Sequence, residues 1–254
     1  MNQLLESFGI IPVIKINQIE DAVPLSRAVL NGGLGILEIT FRTEAAAESI
    51  AMIRKELPNI VVGAGTILTL EQAKKALSCG ASFLVSPGFN REIVSFCVSQ
   101  DIPIFPGCAT ASDIEAAMAL GLGTVKFFPA EAGGGIKMIK ALSGPYGKLS
   151  FMPTGGISLE NMNEYLAQPN VIAVGGSWMV NEKWIEEKNF AAIEEASRAA
   201  VDAMLGFSLG LDAVCAIASG KPITLRTHSI SRAQKYLALR NIDCAAAKIT
   251  LTQY

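Results

Sequence analysis

Eight short, apolar, β-branched runs recur along the chain at intervals of roughly two dozen residues, a spacing that marks alternating strand and helix units. They are Ile10–Ile14, Ile36–Thr40, Ile60–Gly63, Phe83–Val85, Ile102–Phe105, Val125–Phe128, Phe151–Pro153 and Val171–Val174. Between most of them lie segments with helical apolar spacing: Ala22–Leu30, Ala45–Leu57, Leu70–Cys79, Glu92–Ser99, Ser112–Leu120 and Met138–Leu142. Strands that are apolar on both faces and alternate with helices imply an α/β fold, a parallel sheet covered by helices. Eight is the number that closes a small (β/α)8 TIM barrel, here over residues 1–205. A doubly wound open sheet is the alternative, weakened by the lack of a GxGxxG loop after the first run.

Local signals support the helices. Asn17 with Glu20, and Thr69 with Gln72, read as capping boxes, and Ser112 and Ser158 read as N-caps. Gly32-Gly33 and Gly80 read as helix stops. Asn189 caps a last helix through Leu205. Residues 206–254 form a short C-terminal α/β extension, with a strand at Ile223–Thr227, a helix at Ser231–Arg240 and a strand at Ala246–Leu251. This is marginal for independent stability, so the tail should dock on something. Its apolar residues Leu205, Phe207, Leu209, Leu211, Val214 and Ile217 are expected to cover a hydrophobic surface.

Composition narrows the function. The 21 basic and 23 acidic residues nearly balance, which argues against a broad nucleic-acid or membrane-surface role. The charge-free stretch Tyr165–Asn181 holds Gln168, Pro169, Asn170 and two glycines, so no span has the composition of a transmembrane helix. Met1–Glu6 has no basic n-region, so no signal peptide is expected. Cys79, Cys97, Cys108, Cys215 and Cys244 are scattered without a CxxC pair, as reduced thiols of a cytoplasmic protein would be. His228 is the single histidine, so a His-rich zinc site within one chain is excluded and no metal is expected. Acid–base chemistry then falls to carboxylates, lysines or thiols.

Active sites of such barrels lie at the C-terminal ends of the strands. Within the eight runs only Glu38 and Lys126 are ionisable; Lys15 and Arg42 lie just past the first two runs. Alternate strands fill the same interior layers, so Glu38 on the second strand and Lys126 on the sixth can both point inward at similar height. Spacing alone leaves two readings open: a structural buried pair, or chemistry. A desolvated lysine is a nucleophilic amine, able to form a Schiff base with a ketone, and a nearby carboxylate can shuttle protons. Thr154-Gly155-Gly156 and Gly175-Gly176-Ser177 follow the seventh and eighth strands, where such barrels often bind phosphate; a lone Gly-Gly is ordinarily only a turn. Arg42 and Thr66 could hold a substrate carboxylate, or be a surface ion-pair partner and a helix cap. Cys108 has no histidine partner and reads as inert packing.

These residues resemble the 2-keto-3-deoxy-6-phosphogluconate (KDPG) and 4-hydroxy-2-oxoglutarate (KHG) aldolases. The matching strings are Leu37-Glu-Ile-Thr-Phe-Arg-Thr43, Gly63-Ala-Gly-Thr66, Ser86-Pro-Gly88, Pro106-Gly107, Val125-Lys-Phe-Phe-Pro-Ala-Glu131, Pro153-Thr-Gly-Gly-Ile-Ser158 and Gly175-Gly-Ser-Trp178. The resemblance implies that Lys126 forms the Schiff base and Glu38 transfers protons. It implies that Arg42, Thr66 and Thr154 hold the pyruvate carboxylate, and that Pro87 and Phe128 shape the pocket. Gly155, Gly156, Gly175, Gly176 and Ser177 would bind phosphate. It further implies a class I, metal-free homotrimer without a cofactor, whose partner is a small phosphorylated keto acid. The reaction would cleave KDPG reversibly to pyruvate and glyceraldehyde 3-phosphate, in Entner–Doudoroff metabolism. Relatives accept the galactonate epimer or the glyoxylate adduct. The tail departs from that pattern: Ile223–Leu237 resembles half a module of glyoxalase-like, vicinal-oxygen-chelate domains, with only His228 as a candidate ligand. Two rival functions are a non-catalytic phosphate-ligand sensor on the same barrel and a phosphate-binding isomerase. A pure binder has no need of a buried amine, and the strands offer no second base for an isomerase.

Overall fold

The computed structural model describes residues 1–208, 216–219 and 221–254. Eight parallel strands carry the first part of the chain: β1 (Ile10–Ile14), β2 (Ile36–Thr40), β3 (Val61–Gly65), β4 (Phe83–Ser86), β5 (Ile104–Pro106), β6 (Thr124–Phe127), β7 (Ser150–Pro153) and β8 (Val174–Gly176). Six pair continuously in the order β5-β4-β3-β2-β1-β8, and β6 pairs with β7. Bridges Gly107↔Lys126 and Thr154↔Gly175 join the two groups at both ends, so the sheet closes on itself as a (β/α)8 barrel. The helices α1 (Asn2–Phe8), α2 (Ala22–Asn31), α3 (Ala46–Glu56), α4 (Leu70–Ser78), α5 (Arg91–Ser99), α6 (Ala111–Ala119), α7 (Gly135–Ser143), α8 (Met162–Leu166), α9 (Glu182–Glu186) and α10 (Phe190–Leu205) alternate with or follow them. No helix among the described residues is long and apolar enough to cross a membrane.

The main core lies between strands and helices, where residues such as Ile14, Leu37, Ile39, Val62, Val125 and Phe151 meet Leu25, Ile50 and Ile139. A second cluster fills the lower barrel interior: Ile11, Ile36, Phe83, Val85, Phe105 and Met152, closed from below by Leu5 and Phe8 of α1. Strand alternation then decides what lies above it. Ile36 faces the interior, so Glu38 two residues on does too.

The structure revises several local expectations. The Asn17–Glu20 box does not form; a 3-10 turn at Ile19–Asp21 leads into α2 and neither start has a side-chain cap. Thr69 caps α4 by accepting from Gln72 N–H, but the Gln72 amide reaches back to Leu68 N–H rather than to Thr69. Thr110, not Ser112, caps α6, in a reciprocal box with Asp113. Asn161 rather than Ser158 precedes α8, and its carboxamide accepts from Ser158 N–H. Asn189 caps α10 as expected. β3 runs past the expected Gly63 to take in Ala64 and Gly65, and Gly175-Gly176 lie inside β8 rather than after it.

Beyond Gly206, which ends α10 with φ +82°, β9 (Ile223–Thr227) and β10 (Ile249–Gln253) pair in parallel around α11 (Ile230–Leu239). Helix α11 docks on the N-terminal end of the barrel. Arg232 donates to Glu6 O and Ile172 O, Tyr236 OH donates to Gly33 O, and Ala233 and Tyr236 join the main core. Phe207 packs against that core as well; Leu209, Leu211, Val214 and Cys215 lie outside the described residues.

Candidate active site

At the C-terminal end of the barrel Lys126 and Glu38 face each other from β6 and β2. Lys126 Nζ lies 3.6 Å from Glu38 Oε1. The residues are only 5% and 1% exposed, so their charges meet in a medium of low polarisability. Gly65 makes the room: a methyl group there would overlap the Glu38 carboxylate. The Phe128 ring lies 5.2 Å from the ammonium, a cation–π contact. Neither Glu38 oxygen accepts a hydrogen bond, and nor does Thr154 Oγ1 engage a partner. Buried polar atoms are nearly always satisfied, so three orphans together point to a place where a ligand binds.

A cleft of about 490 Å³ opens above this floor. Of the sequence candidates, Arg42, Phe128, Thr154, Gly155, Gly156, Gly176 and Ser177 line it. Glu38 and Lys126 are buried one layer down, two residues before the lining Thr40 and Phe128 along the chain, while Thr66, Pro87 and Gly175 stand outside the lining. Thr66 is nevertheless beside Arg42, whose Nε donates to Thr66 Oγ1 at 3.4 Å. Thr66 also holds φ +58°, a conformation that costs a β-branched residue energy and recurs at functional sites. Pro87 packs its backbone against Gly107 at the tops of β4 and β5. The N–H groups of Gly156 and Ile157 donate to no acceptor among the described residues, and Asn161 pins the Gly156 carbonyl at 3.0 Å. Free N–H groups in a glycine turn form an anion nest.

Lining residues with no role assigned from sequence include the polar or aromatic Lys15, Trp178, Asn181 and Glu182. Lys15 pairs with Glu182 at 3.3 Å across the rim. Its place after the first apolar run was the only signal. Asn181 and Glu182 belong to the start of α9, too short to show a helical period. Cys108 is buried, and desolvation, with Asp113 nearby, pushes its thiol up to about 12. It is therefore a packed thiol rather than a nucleophile.

Residues 1–196 match the family described as KDPG and KHG aldolase. The chain is 49% identical over 196 residues to the 2-dehydro-3-deoxy-phosphogluconate aldolase of Treponema pallidum, covering 77% of this chain and 93% of that one. It is 40% identical over 199 residues to the KHG/KDPG aldolase of Escherichia coli K12, covering 78% and 93%. Among solved structures, the KDPG aldolase of Legionella pneumophila, with pyruvate captured at low pH as a covalent carbinolamine, superimposes with a TM-score of 0.77. It is 40% identical, over 79% of this chain and 98% of that chain. A family match across the whole barrel, on a fold with the same architecture, is decisive: the chain belongs to the KDPG and KHG aldolase family.

Proposed function

We propose that this protein is a class I aldolase that reversibly cleaves KDPG to pyruvate and glyceraldehyde 3-phosphate. The observation that carries the reading is the buried amine–carboxylate pair, 3.6 Å apart beneath an open cleft. In its neutral form Lys126 adds to the substrate's C2 carbonyl, giving a carbinolamine whose hydroxyl takes up a proton, from Glu38 or solvent, and leaves as water, so that a protonated imine remains. Glu38 takes the C4 hydroxyl proton, directly or through a water. The C3–C4 bond breaks, its electron pair neutralises the iminium as an enamine, and the aldehyde leaves. The enamine then takes a proton at C3, and hydrolysis frees pyruvate and the lysine. The imine holds the developing charge, so no step needs a metal.

Arg42, with Thr66 beside it, and Thr154 are assigned to the pyruvyl carboxylate, for which a guanidinium and hydroxyls are suitable donors. Phe128 and Pro87 are assigned to the pocket walls. Gly155, Gly156, Gly175, Gly176 and Ser177 are assigned to the phosphate, supported by the unused N–H groups of the first glycine turn. That nest favours a phosphorylated aldehyde over the glyoxylate adduct. A panel of aldehydes offered with pyruvate separates KDPG, its galactonate epimer and 4-hydroxy-2-oxoglutarate as substrates. The resemblance extends the proposal to a homotrimer in the cytoplasm, which sedimentation and cell fractionation test, and the segment 206–254 is assigned as an appendage to a catalytic unit of residues 1–205.

The decisive experiment is borohydride reduction in the presence of pyruvate. A pyruvate-mass adduct on Lys126 is expected, and a folded Lys126→Ala variant should lose both trapping and turnover. Trappable activity retained in that variant would remove Lys126 from its role; a wild type that forms no adduct would favour a non-catalytic binder.

A further inference from the structure

Tyr165 is a wholly buried tyrosine on α8, and its hydroxyl donates to the carboxylate of Glu131. Burial and that carboxylate push its phenol upward, so it stays a donor at any physiological pH. Nothing in the proposed reaction uses either residue. Their position is informative all the same. Residues 127–131 run alongside residues 154–155 and continue the β6–β7 pairing past the strand ends: Thr154 N–H donates to Phe127 O at 3.0 Å, Ala130 N–H to Thr154 O at 2.8 Å and Glu131 N–H to Gly155 O at 3.0 Å. The stem of Glu131 lies under Gly156, where an added Cβ would come within 2.6 Å of both Glu131 Cβ and Cγ. One segment therefore carries Lys126 at its start and supports the glycine turn at its end. The carboxylate itself is turned towards Gly135, at the start of α7 and beside the tyrosine hydroxyl. A helix start favours a negative charge.

We propose that Glu131 and Tyr165 are positioning residues that set the glycine turn for the substrate phosphate and hold the Glu131 carboxylate away from it. The inference rests on the phosphate assignment above. Two effects combine. The stem of Glu131 fixes the height of Gly156, and hence of its free N–H, relative to the imine lysine. The Tyr165 hydrogen bond keeps a negative group from swinging toward a phosphate dianion, where like charge would repel it.

Tyr165→Phe removes one hydroxyl and keeps the ring in the core. Its KM for KDPG should rise about tenfold, the low end for losing a hydrogen bond to a charged acceptor. Its KM for 4-hydroxy-2-oxoglutarate, which has no phosphate, and its borohydride trapping with pyruvate should stay at wild-type levels. Glu131→Gln added to Tyr165→Phe should recover much of the KDPG affinity by removing the repelling charge. Glu131→Ala, at an exposed position, tests the stem by itself if the tyrosine variant is unstable: with no charge left to repel the phosphate, its KM for KDPG should still rise and that for 4-hydroxy-2-oxoglutarate should not, and an unchanged KM for KDPG would overturn the stem's role. Equal losses for both substrates would make the pair a merely structural contact and overturn the proposal, as would an unchanged KM for KDPG. If wild-type protein fails to trap pyruvate, the aldolase reading itself falls; if it traps pyruvate but shows no preference for the phosphorylated substrate, the phosphate assignment falls. Either result is separate from the variant comparison.

Discussion

Glu38 is held at a site that is costly for an ion. Removing a carboxylate from water costs several kcal/mol, offset here by the Lys126 ammonium 3.6 Å away. Glu38→Gln keeps the shape but can neither take up nor release a proton. Turnover should fall by about 10²–10⁴, the usual worth of a positioned acid–base group, while some pyruvate adduct still forms under borohydride. Wild-type turnover in that variant would require another proton carrier. The thiols make a different prediction. Burial raises Cys97 from 9.0 to about 11, and burial with Asp113 raises Cys108 from 9.0 to about 12. The folded protein therefore retains thiol protons that the unfolded chain releases. Their stabilising effect is complete below pH 9 and is lost as pH rises towards 11 and 12. Urea midpoints measured across that range should fall on the alkaline side, and a Cys97→Ser, Cys108→Ala double variant should show a shallower fall. An identical slope would remove the thiols as its cause.

Strands were the elements most readable from the chain, because a charge inside an apolar run has no other explanation than a partner or a rim. That is why Glu38 and Lys126 could be paired from strand number alone, and their inward layer followed from alternation. Helix starts were less readable. Ser, Thr, Asn and Asp crowd these segments, and the residue that caps is decided by backbone geometry, as at Thr110 rather than Ser112. β8 was misplaced because its last residues are glycines, which carry no strand signal, while Val171 makes only an isolated bridge. Glycine in β3 has a use that composition does not reveal: Gly65, in register with Thr40, gives space to the carboxylate of Glu38, whose own register partner is Gly63 two residues earlier. Gly65→Ala should fold, since φ there is not left-handed, yet displace Glu38. A displacement near 1 Å costs about 10² in rate. A kinetic match to wild type would mean that Glu38 can move without penalty, and would weaken its role.

The whole molecule places chemistry and tail at opposite ends of one barrel. All residues assigned to the reaction lie at or before Ser177, at the C-terminal ends of the strands, whereas α11 contacts Glu6, Gly33 and Ile172 at the other end. The barrel closes through β8 and α10 ends before the tail begins. Deleting residues 206–254 should therefore leave pyruvate trapping and KDPG turnover within about threefold of wild type, less than one hydrogen bond's worth. The cost should appear in stability. The cut removes the buried Tyr236 and Ala233 and uncovers α1 and the surroundings of Gly9 and Gly33, where Met204 and Val201 of α10 lie. Loss of a buried aromatic alone is typically worth about 3–5 kcal/mol, so a lower melting temperature and poorer solubility are expected. Calorimetry and borohydride trapping on the truncated chain test both halves of this expectation. A truncated protein that melts normally would show that the docked helix adds little to the fold. A well-folded one that binds no pyruvate would show that the barrel's two ends are coupled, and the division of the chain at Leu205 would then be wrong.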